Sequence, residues 1–306
     1  MSMAKFSFGK RSAAGQKLRT ELRDLIELVL APGLAALLPW RWGFAALRRL
    51  ARVRWLYRGA CLRALEGVRA YGPPVRDEAA WLAARRLTTL VDHADLYLTL
   101  TRGDGWMRRH VSVQGQWPAP GQAGLLLSFH WGAAMWALRS ASAHGLSVHA
   151  LVAATQGAPF AGRAVLHRYA LARTRGVGAV LHNEPLVVSE SLRPVVRALR
   201  AGEQVLAIVD VPADQAASLP VTLCGKTARV PKGLFRLAVD MRVPVTIYRV
   251  GFDARTGQRL LRLDTLGAHD DAQALADAVF QRLQACMDEE TALWHFWSEA
   301  QRLFVP

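Results

Sequence analysis

Short apolar segments alternate with longer helical stretches over the second half of the chain. The pattern predicts strands at 125–129, 149–153, 177–181 and 204–209, and helices at 132–143, 161–174 and 187–201. A hairpin of 245–250 and 259–263 and two C-terminal helices complete the series. Because strands that alternate with helices form βαβ units, the pattern predicts an α/β fold with a mostly parallel central sheet flanked by helices.

The first third of the chain has helical periodicity instead. Apolar residues recur at helical spacing from Phe44 to Leu65, with arginines between them, which predicts an amphipathic helix. Residues 28–40 contain no charge but are interrupted by two prolines and a glycine. A helix of that length covers about 20 Å, whereas the hydrocarbon core of a bilayer is about 30 Å thick. We therefore expect an interfacial or re-entrant segment, the alternative being a buried hairpin with arginines on its wet face.

The charge of the chain is concentrated in the same region. The net charge is +15, and residues 1–64 carry 13 Lys and Arg against three acidic residues. Aromatic residues beside these arginines are typical of membrane-interface anchors: Trp40, Trp42, Trp55 and Tyr57. Such a region could also bind nucleic acid, but its apolar periodicity favours an anionic membrane surface, and we expect no nucleic-acid partner.

Composition limits the remaining classes. The chain has 306 residues, 52% of them hydrophobic, and a mean hydropathy of +0.11, which excludes a disordered chain and a multi-span transporter. Its three cysteines form no CxxC pair, so neither a disulfide framework nor a zinc site is expected. We predict a basic amphipathic or interfacial helical region over residues 1–70 and an α/β domain over residues 71–306.

Candidate chemistry follows the predicted strands, because ligands bind outside the carboxyl ends of parallel strands. His130 follows the first strand, Asn183 and Glu184 the third, and Asp210 the fourth. His130 is also placed at the start of the next predicted helix, whose positive end favours the neutral ring that a general base requires. The alternative role for His130 is a structural cap, and the alternative for Asp210 is a turn residue before Pro212.

These segments resemble a known family. The resemblance is to the bacterial lipid A late acyltransferases, also called lauroyl/myristoyl acyltransferases, of the lysophospholipid acyltransferase superfamily. Beyond the basic N-terminal helix and Asp210, it is carried by residues 124–132 (GLLLSFHWG), 223–238 (LCGKTARVPKGLFRLA), 243–248 (VPVTIY) and 293–297 (LWHFW). The order and spacing of these pieces, rather than any one of them, carry the resemblance.

The resemblance implies a glycerol-phosphate-acyltransferase-like fold at the cytoplasmic face of the bacterial inner membrane. It implies transfer of a fatty acyl chain from acyl carrier protein to a hydroxyl of a glycolipid, with His130 as general base and no cofactor or metal. Because this chain departs from the family pattern, we expect a non-standard acceptor such as another lipid or a lipid-like pigment, and acyl coenzyme A stays open as the donor. Anionic membrane lipid would be a further partner. Donors for the oxyanion are expected from backbone N–H groups at the start of the helix from Gly132.

The chain departs from the family pattern at two places. Family members carry His-x4-Asp/Glu, in which the acid orients the imidazole, whereas this chain has Met135 at the position of that acid, directly after the four residues 131–134. The family usually has an arginine after the third strand, where this chain has Asn183 and Glu184. We predict that Asp210, in preference to Glu184, replaces the missing acid. The alternative is an inactive acyltransferase-like subunit that binds or assembles at a membrane.

Three arginines of the predicted helix 161–174 and the turn after it are candidates for binding the substrate. Arg163, Arg173 and Arg175 would form a basic patch for a phosphate or for acyl carrier protein, together with Asn183 and Glu184 as acceptor contacts. The alternative for the arginines is an ordinary solvated helix face.

Overall fold

The computed structural model describes residues 13–153, 160–187, 192–213 and 216–305. Its helices are α1 (Ala13–Asp24), α2 (Ala31–Leu37), α3 (Trp40–Leu50), α4 (Arg58–Tyr71), α5 (Glu78–Thr101), α6 (Asp104–His110), α7 (Met135–Ala143), α8 (Ala164–Leu181), α9 (Arg193–Arg200), α10 (Gly233–Met241), α11 (Ala272–Glu289) and α12 (Ala300–Leu303). Its strands are β1 (Val111–Gln114), β2 (Gly124–Ser128), β3 (Val148–Val152), β4 (Leu186–Val187), β5 (Gln204–Ile208), β6 (Ser218–Leu223), β7 (Lys226–Pro231), β8 (Val245–Phe252) and β9 (Arg259–Gly267).

The predicted α/β architecture is confirmed. Seven of the described strands form one sheet in the order β1-β9-β8-β2-β5-β3-β4, flanked by helices. Every neighbouring pair is parallel except β8 with β9, which form the antiparallel hairpin expected from the sequence. The central strand β2 pairs with β5 from Gly124 opposite Gln204 to Ser128 opposite Ile208, so the residues that follow both strands emerge at one edge.

The hydrophobic core lies on both faces of this sheet. All five residues of β2 are buried, because successive side chains point to opposite faces and both faces are covered by helices. Leu125 and Leu127 pack on the face covered by α9, α10 and α11, whereas Leu126 packs on the face covered by α5, α7 and α8. The continuous apolar run after Gly124 is therefore the signature of a central parallel strand.

The N-terminal helices belong to the same two cores. Leu65 and Val68 of α4 pack with the C-terminal Trp297, and Leu47 of α3 packs in the cluster that contains Trp136 of α7. Residues on either side of the expected boundary at residue 70 therefore share buried surface. The first 12 residues of the basic region lie outside the described residues, as do 188–191 of the helix predicted over 187–201.

Three element predictions are wrong in detail. Residues 177–181 form the last turn and a half of α8 rather than a strand, because a short apolar run fits a buried helix as well as a strand. The amphipathic stretch 44–65 is divided into α3 and α4 by the turns at 51–57. The helix expected from Gly132 begins at Met135.

Three short helical segments connect the longer elements. A π-helical stretch, Leu25–Leu30, joins α1 to α2, and two short 3-10 helices, Thr291–Leu293 and His295–Glu299, follow α11. The strands β6 and β7 form a separate antiparallel hairpin that the sequence analysis did not predict. Within the ranges described, no helix has the length and apolarity needed to cross a bilayer.

Candidate functional site

The side chains of His130 and Asp210 meet at the carboxyl edge of the sheet. Each residue lies two positions beyond the end of a neighbouring strand, His130 after β2 and Asp210 after β5. The imidazole Nδ1 lies 2.9 Å from Oδ1 of Asp210, and the backbone N–H of His130 donates to both carboxylate oxygens at 2.9 and 3.0 Å. The contact predicted between these two residues is therefore present, and the carboxylate fixes both the backbone and the ring of His130.

The C-terminal segment closes the other side of this pair. The indole N–H of Trp294 donates to Oδ2 of Asp210 at 2.6 Å. The backbone N–H of His295 donates to the carbonyl of His130 at 2.7 Å, and the ring of Phe296 lies 4.8 Å from the imidazole between centroids. The segment that follows α11 thus packs against the end of β2 and holds its last residues in place.

The histidine in this segment reinforces the same contact. Burial lowers the pKa of His295 to about 3, so its ring is neutral. In that state Nδ1 accepts a hydrogen bond from Arg85 at 2.9 Å, and Nε2–H donates to the carbonyl of Gly132 at 2.7 Å. His295 is therefore fully engaged in holding the backbone around His130 and is not itself a candidate base.

The environment of His130 makes the imidazole more basic than an isolated histidine. Burial alone would lower the pKa of His130, but the charge of Asp210 and the hydrogen bond to it outweigh burial and raise the pKa. The expectation that a helix N-terminus favours the neutral ring is thus wrong. The helix begins five residues later, at Met135, and the adjacent carboxylate dominates instead.

One nitrogen of His130 is left for chemistry. Nδ1 faces the carboxylate, which fixes the tautomer with the proton on Nδ1 and leaves Nε2 as the acceptor. The side chain of His130 is 34% exposed, whereas that of Asp210 is wholly buried. A buried carboxylate that orients a partly exposed imidazole is the arrangement that general-base catalysis requires.

The backbone N–H groups expected to stabilise an oxyanion are already used. The N–H of Gly132 donates to the carbonyl of Leu293 at 2.9 Å, and that of Ala133 donates to the carbonyl of Val250 at 3.1 Å. Both groups serve to bind the residues after β2 to the segments on either side. The family position of the orienting acid, Met135, is 2% exposed and lies in the apolar core between the sheet and the helices.

Arg173 lies close enough to the pair to act on it electrostatically, together with Asp92. Arg173 forms an ion pair with Asp92 at 2.8 Å and a longer hydrogen bond to the hydroxyl of Tyr169 at 3.4 Å. Although burial opposes ionisation of Asp92, the charge of Arg173 lowers its pKa to about 2. Of the predicted binding arginines, Arg173 is the one whose charge acts on His130, and that charge is balanced by Asp92, a carboxylate that the sequence pattern did not indicate.

Arg163 and Arg175 take other roles. Arg163 forms a two-pronged ion pair with buried Asp24, with its shorter contact at 2.6 Å. Glu21 accepts hydrogen bonds from the first two backbone N–H groups of α8, and these contacts fasten α1 to the start of that helix. Arg175 is an exposed residue of α8. Arg163 thus joins two helices, which corrects its assignment to a free basic patch.

Asn183 and Glu184 lie at the amino edge of the sheet, opposite His130. The side-chain amide of Asn183 donates to the carbonyl of Val148 at 3.1 Å, at the start of β3 and level with the start of β2. The backbone carbonyl of Glu184 lies 3.2 Å from the ring of His149. Both residues were predicted at the carboxyl edge because 177–181 was read as a strand. Because 177–181 belong to α8 instead, the chain has already returned to the amino edge of the sheet before it reaches Asn183.

A cavity of about 650 Å³ lies between α5, α11 and the β8–β9 hairpin. Its walls include Trp131 and Leu293, which flank His130 and Trp294 in the chain, and the apolar residues Leu87, Phe252 and Leu260. Arg249 and Arg262 also line it, and each is paired with a carboxylate, Asp264 and Glu289 respectively. The cavity thus combines apolar walls with a rim of paired charges.

Comparison with known proteins adds no family assignment. No protein-family model matches the sequence, and no curated protein has significant similarity to it.

Proposed function

We propose that this chain is a membrane-associated O-acyltransferase that moves a fatty acyl chain from a thioester, on acyl carrier protein or coenzyme A, to a hydroxyl of a lipid, glycolipid or lipid-like pigment. One observation carries the proposal. The buried carboxylate of Asp210 lies 2.9 Å from Nδ1 of a partly exposed imidazole, at the sheet edge where α/β folds bind ligands. The same pair supplies the acid that is missing from the family position at Met135.

The chemistry requires one proton acceptor and one proton donor in succession. Nε2 of His130 takes the proton of the acceptor hydroxyl as its oxygen attacks the thioester carbonyl. The tetrahedral intermediate then collapses, the C–S bond breaks, and the imidazolium returns the proton to the departing thiolate. Asp210 orients the ring and stabilises the imidazolium.

Two neighbouring features suit the substrates of such a reaction. Arg173 supplies a positive charge that acts on the site while paired with Asp92, and in this proposal it stabilises the negative charge that develops on the thioester oxygen. The cavity of about 650 Å³ behind Trp131 offers apolar volume of the size that an acyl chain needs.

The N-terminal helices support the membrane part of the proposal. Apolar side chains that are at least 40% exposed recur from α1 to α4, namely Leu18, Leu22, Leu30, Leu34, Leu37, Leu38, Trp42, Trp55 and Leu62. Exposed arginines lie among them, including Arg41 and Arg54. Exposed leucines and tryptophans interspersed with cations match the composition of an interfacial anchor on anionic lipid. Trp40 and Tyr57 do not belong to this surface, because both are buried.

The transferase proposal is tested by transfer of a labelled acyl chain from acyl carrier protein or coenzyme A to a panel of hydroxyl-bearing lipids. We expect transfer by the unaltered chain and a loss of at least about a hundredfold in His130→Gln. The control is His149→Gln, since His149 pairs with Glu203 at the opposite edge. Equal transfer by the unaltered chain and His130→Gln would remove the catalytic role. No transfer by either would favour an inactive membrane-bound subunit.

Membrane binding is tested separately by flotation with vesicles. We expect Trp42→Glu to weaken binding to anionic vesicles about tenfold or more, because it removes one large apolar contact and adds a repelled charge. The matched control is Val113→Glu, which places the same charge at an exposed apolar position of β1. Equal binding of the two variants would show that the N-terminal surface does not contact the bilayer.

A further inference from the structure

Among the described residues, two donate hydrogen bonds to the buried carboxylate of Asp210, and neither of them carries a permanent positive charge. His130 supplies its backbone N–H and its Nδ1–H, and Trp294 supplies its indole N–H. A buried carboxylate is costly unless its oxygens are satisfied, so each of these donors matters to the charged state. Trp294 is the donor that is independent of His130.

We propose that Trp294 is a positioning residue for the His130–Asp210 pair. Its indole N–H binds Oδ2 of the carboxylate, so that the indole and the imidazole share the negative charge of Asp210. The inference rests on the proposed function for its catalytic consequence. The structural contact itself can be measured without any assay of acyl transfer.

The geometry divides the two carboxylate oxygens between the two side chains. Oδ1 faces Nδ1 of His130 at 2.9 Å, and Oδ2 faces the indole nitrogen at 2.6 Å. A carboxylate held at one oxygen only can rotate about its Cβ–Cγ bond, whereas a donor at each oxygen fixes the plane. With Trp294 in place, Oδ1 is aimed at the imidazole before any substrate binds, which is the preorganisation that an oriented base requires.

The indole of Trp294 is itself fixed in place by the residues that pack around it. Its side chain is wholly buried and packs edge-on against Trp297, with ring centroids 4.6 Å apart. Its backbone forms an antiparallel bridge with Trp131, directly after His130. One short segment therefore fixes the backbone beside His130 and supplies the donor to its partner.

Sharing the carboxylate also moderates the basicity of His130. Two donors that compete for one anion each receive less of its charge than either would alone. Without the indole N–H, Asp210 would attract the imidazolium more strongly, and His130 would be protonated over a wider pH range. Trp294 thereby keeps a larger fraction of His130 in the neutral form that can accept a proton.

The test is an NMR titration of His130 in the full chain with isotope-labelled histidine, its signal assigned by its loss in His130→Gln. In Trp294→Phe, which removes the N–H and retains an aromatic ring, we expect the pKa of His130 to rise by between a few tenths and about one pH unit. The matched control is Trp297→Phe. Trp297 is equally buried, but its indole N–H donates to the backbone carbonyl of Thr291 at 2.7 Å, so the pKa of His130 should not move.

A pKa of His130 that stays constant or falls in folded Trp294→Phe would overturn the proposal. Should that variant fail to fold, replacement of Trp294 by 3-benzothienylalanine keeps the shape of the ring and substitutes sulfur for the N–H, and the same rise is expected. If acyl transfer is later shown to be absent while the pKa rises as expected, the contact stands and only the proposed function fails.

Discussion

Two aspartates in the described part of the chain are wholly buried, and their partners differ. Asp95 pairs with Arg259, which is itself wholly buried under the ring of Trp40, 4.1 Å from its centroid. Asp210 pairs with His130, whose ring reaches solvent. Both carboxylates connect separate parts of the chain. Asp95 connects α5 to β9, and Asp210 connects the segment after β5 to the segment after β2.

The difference separates a structural ion pair from a candidate site. Burial raises the pKa of Asp95 to about 6 even beside Arg259, and both side chains are closed off from solvent. In the His130–Asp210 pair the carboxylate is buried and the imidazole reaches solvent, so the buried charge orients an accessible nitrogen. This is the open pair, and Asp95 with Arg259 is the sealed pair. Accessibility of the partner, rather than burial of the acid, is what indicates chemistry here.

The largest effect is expected at the open pair. Asp210→Asn keeps the size of the side chain but removes its charge, so that the imidazole is neither held in the required tautomer nor stabilised when protonated. By analogy with the loss of the orienting carboxylate in hydrolase triads, we expect acyl transfer to fall on the order of 10⁴-fold. The measurement is the rate of transfer per folded molecule, with folding checked by circular dichroism.

The chain contains a matched control for this substitution. Glu203 accepts a hydrogen bond from His149 at 3.0 Å at the opposite edge of the sheet. Glu203→Gln removes a carboxylate from a histidine in the same way and should leave transfer within about twofold of the unaltered rate. Equal losses in the two variants would mean that the pair at the carboxyl edge has no special role.

The sealed pair should respond in stability instead. Arg259→Met retains most of the packing against Trp40 but leaves Asp95 as an uncompensated buried carboxylate. We expect the free energy of unfolding to fall by about 3–5 kcal/mol, measured by denaturant unfolding. Transfer per folded molecule should change less than in Asp210→Asn, because Arg259 hydrogen-bonds to Asp95 and Gly257 and not to His130 or Asp210.

The double substitution Arg259→Met with Asp95→Leu sharpens this prediction. With both charges removed, no unpaired group remains, so the double variant should be more stable than Arg259→Met alone. A double variant that is less stable than the single one would show that the pair contributes more than mutual neutralisation.

Sequence patterns predict the frame of the site better than its contents. The run at 124–129 and the segment 204–209 predict neighbouring parallel strands, and this is enough to bring the residues that follow them, His130 and Asp210, together. Trp294 could not be predicted in the same way, since 84 positions separate it from Asp210 and nothing local places the end of α11 beside β2.

The wrong predictions have local physical causes. Residues 177–181 are apolar and short, and only the packing of Val180 and Leu181 in the core beside α5 and α7 decides for a helix. Once that strand is replaced by helix, Asn183 and Glu184 move to the opposite edge of the sheet. The β6–β7 hairpin has a signal in the sequence, because Leu219, Val221 and Leu223 alternate with other residues before Cys224 and Gly225. In the structure this alternation is the buried face of β6, and both turn residues have positive φ, as in a type I′ hairpin turn.

The smallest expected effect is a pH dependence of stability that distinguishes His130 from the other histidines around it. Its pKa is raised in the folded protein, because the charge of Asp210 outweighs burial. The stabilisation from protonating His130 is therefore fully present below the unfolded pKa of about 6.5 and is lost as the pH rises through the folded pKa. Because solvent screens the partly exposed ring, this change in the free energy of unfolding should be smaller than the change expected for Arg259→Met.

The difference in unfolding free energy between the unaltered chain and His130→Gln isolates this contribution. Burial lowers the pKa of His93 to about 4 and that of His295 to about 3, so these two act in the opposite sense, and subtraction cancels them. We expect the difference to favour the unaltered chain more at pH 5.5 than at pH 8.5. A difference that is constant across this range, or larger at pH 8.5, would show that Asp210 does not attract a proton to His130, and the distinction between the open and the sealed pair would then rest on exposure alone.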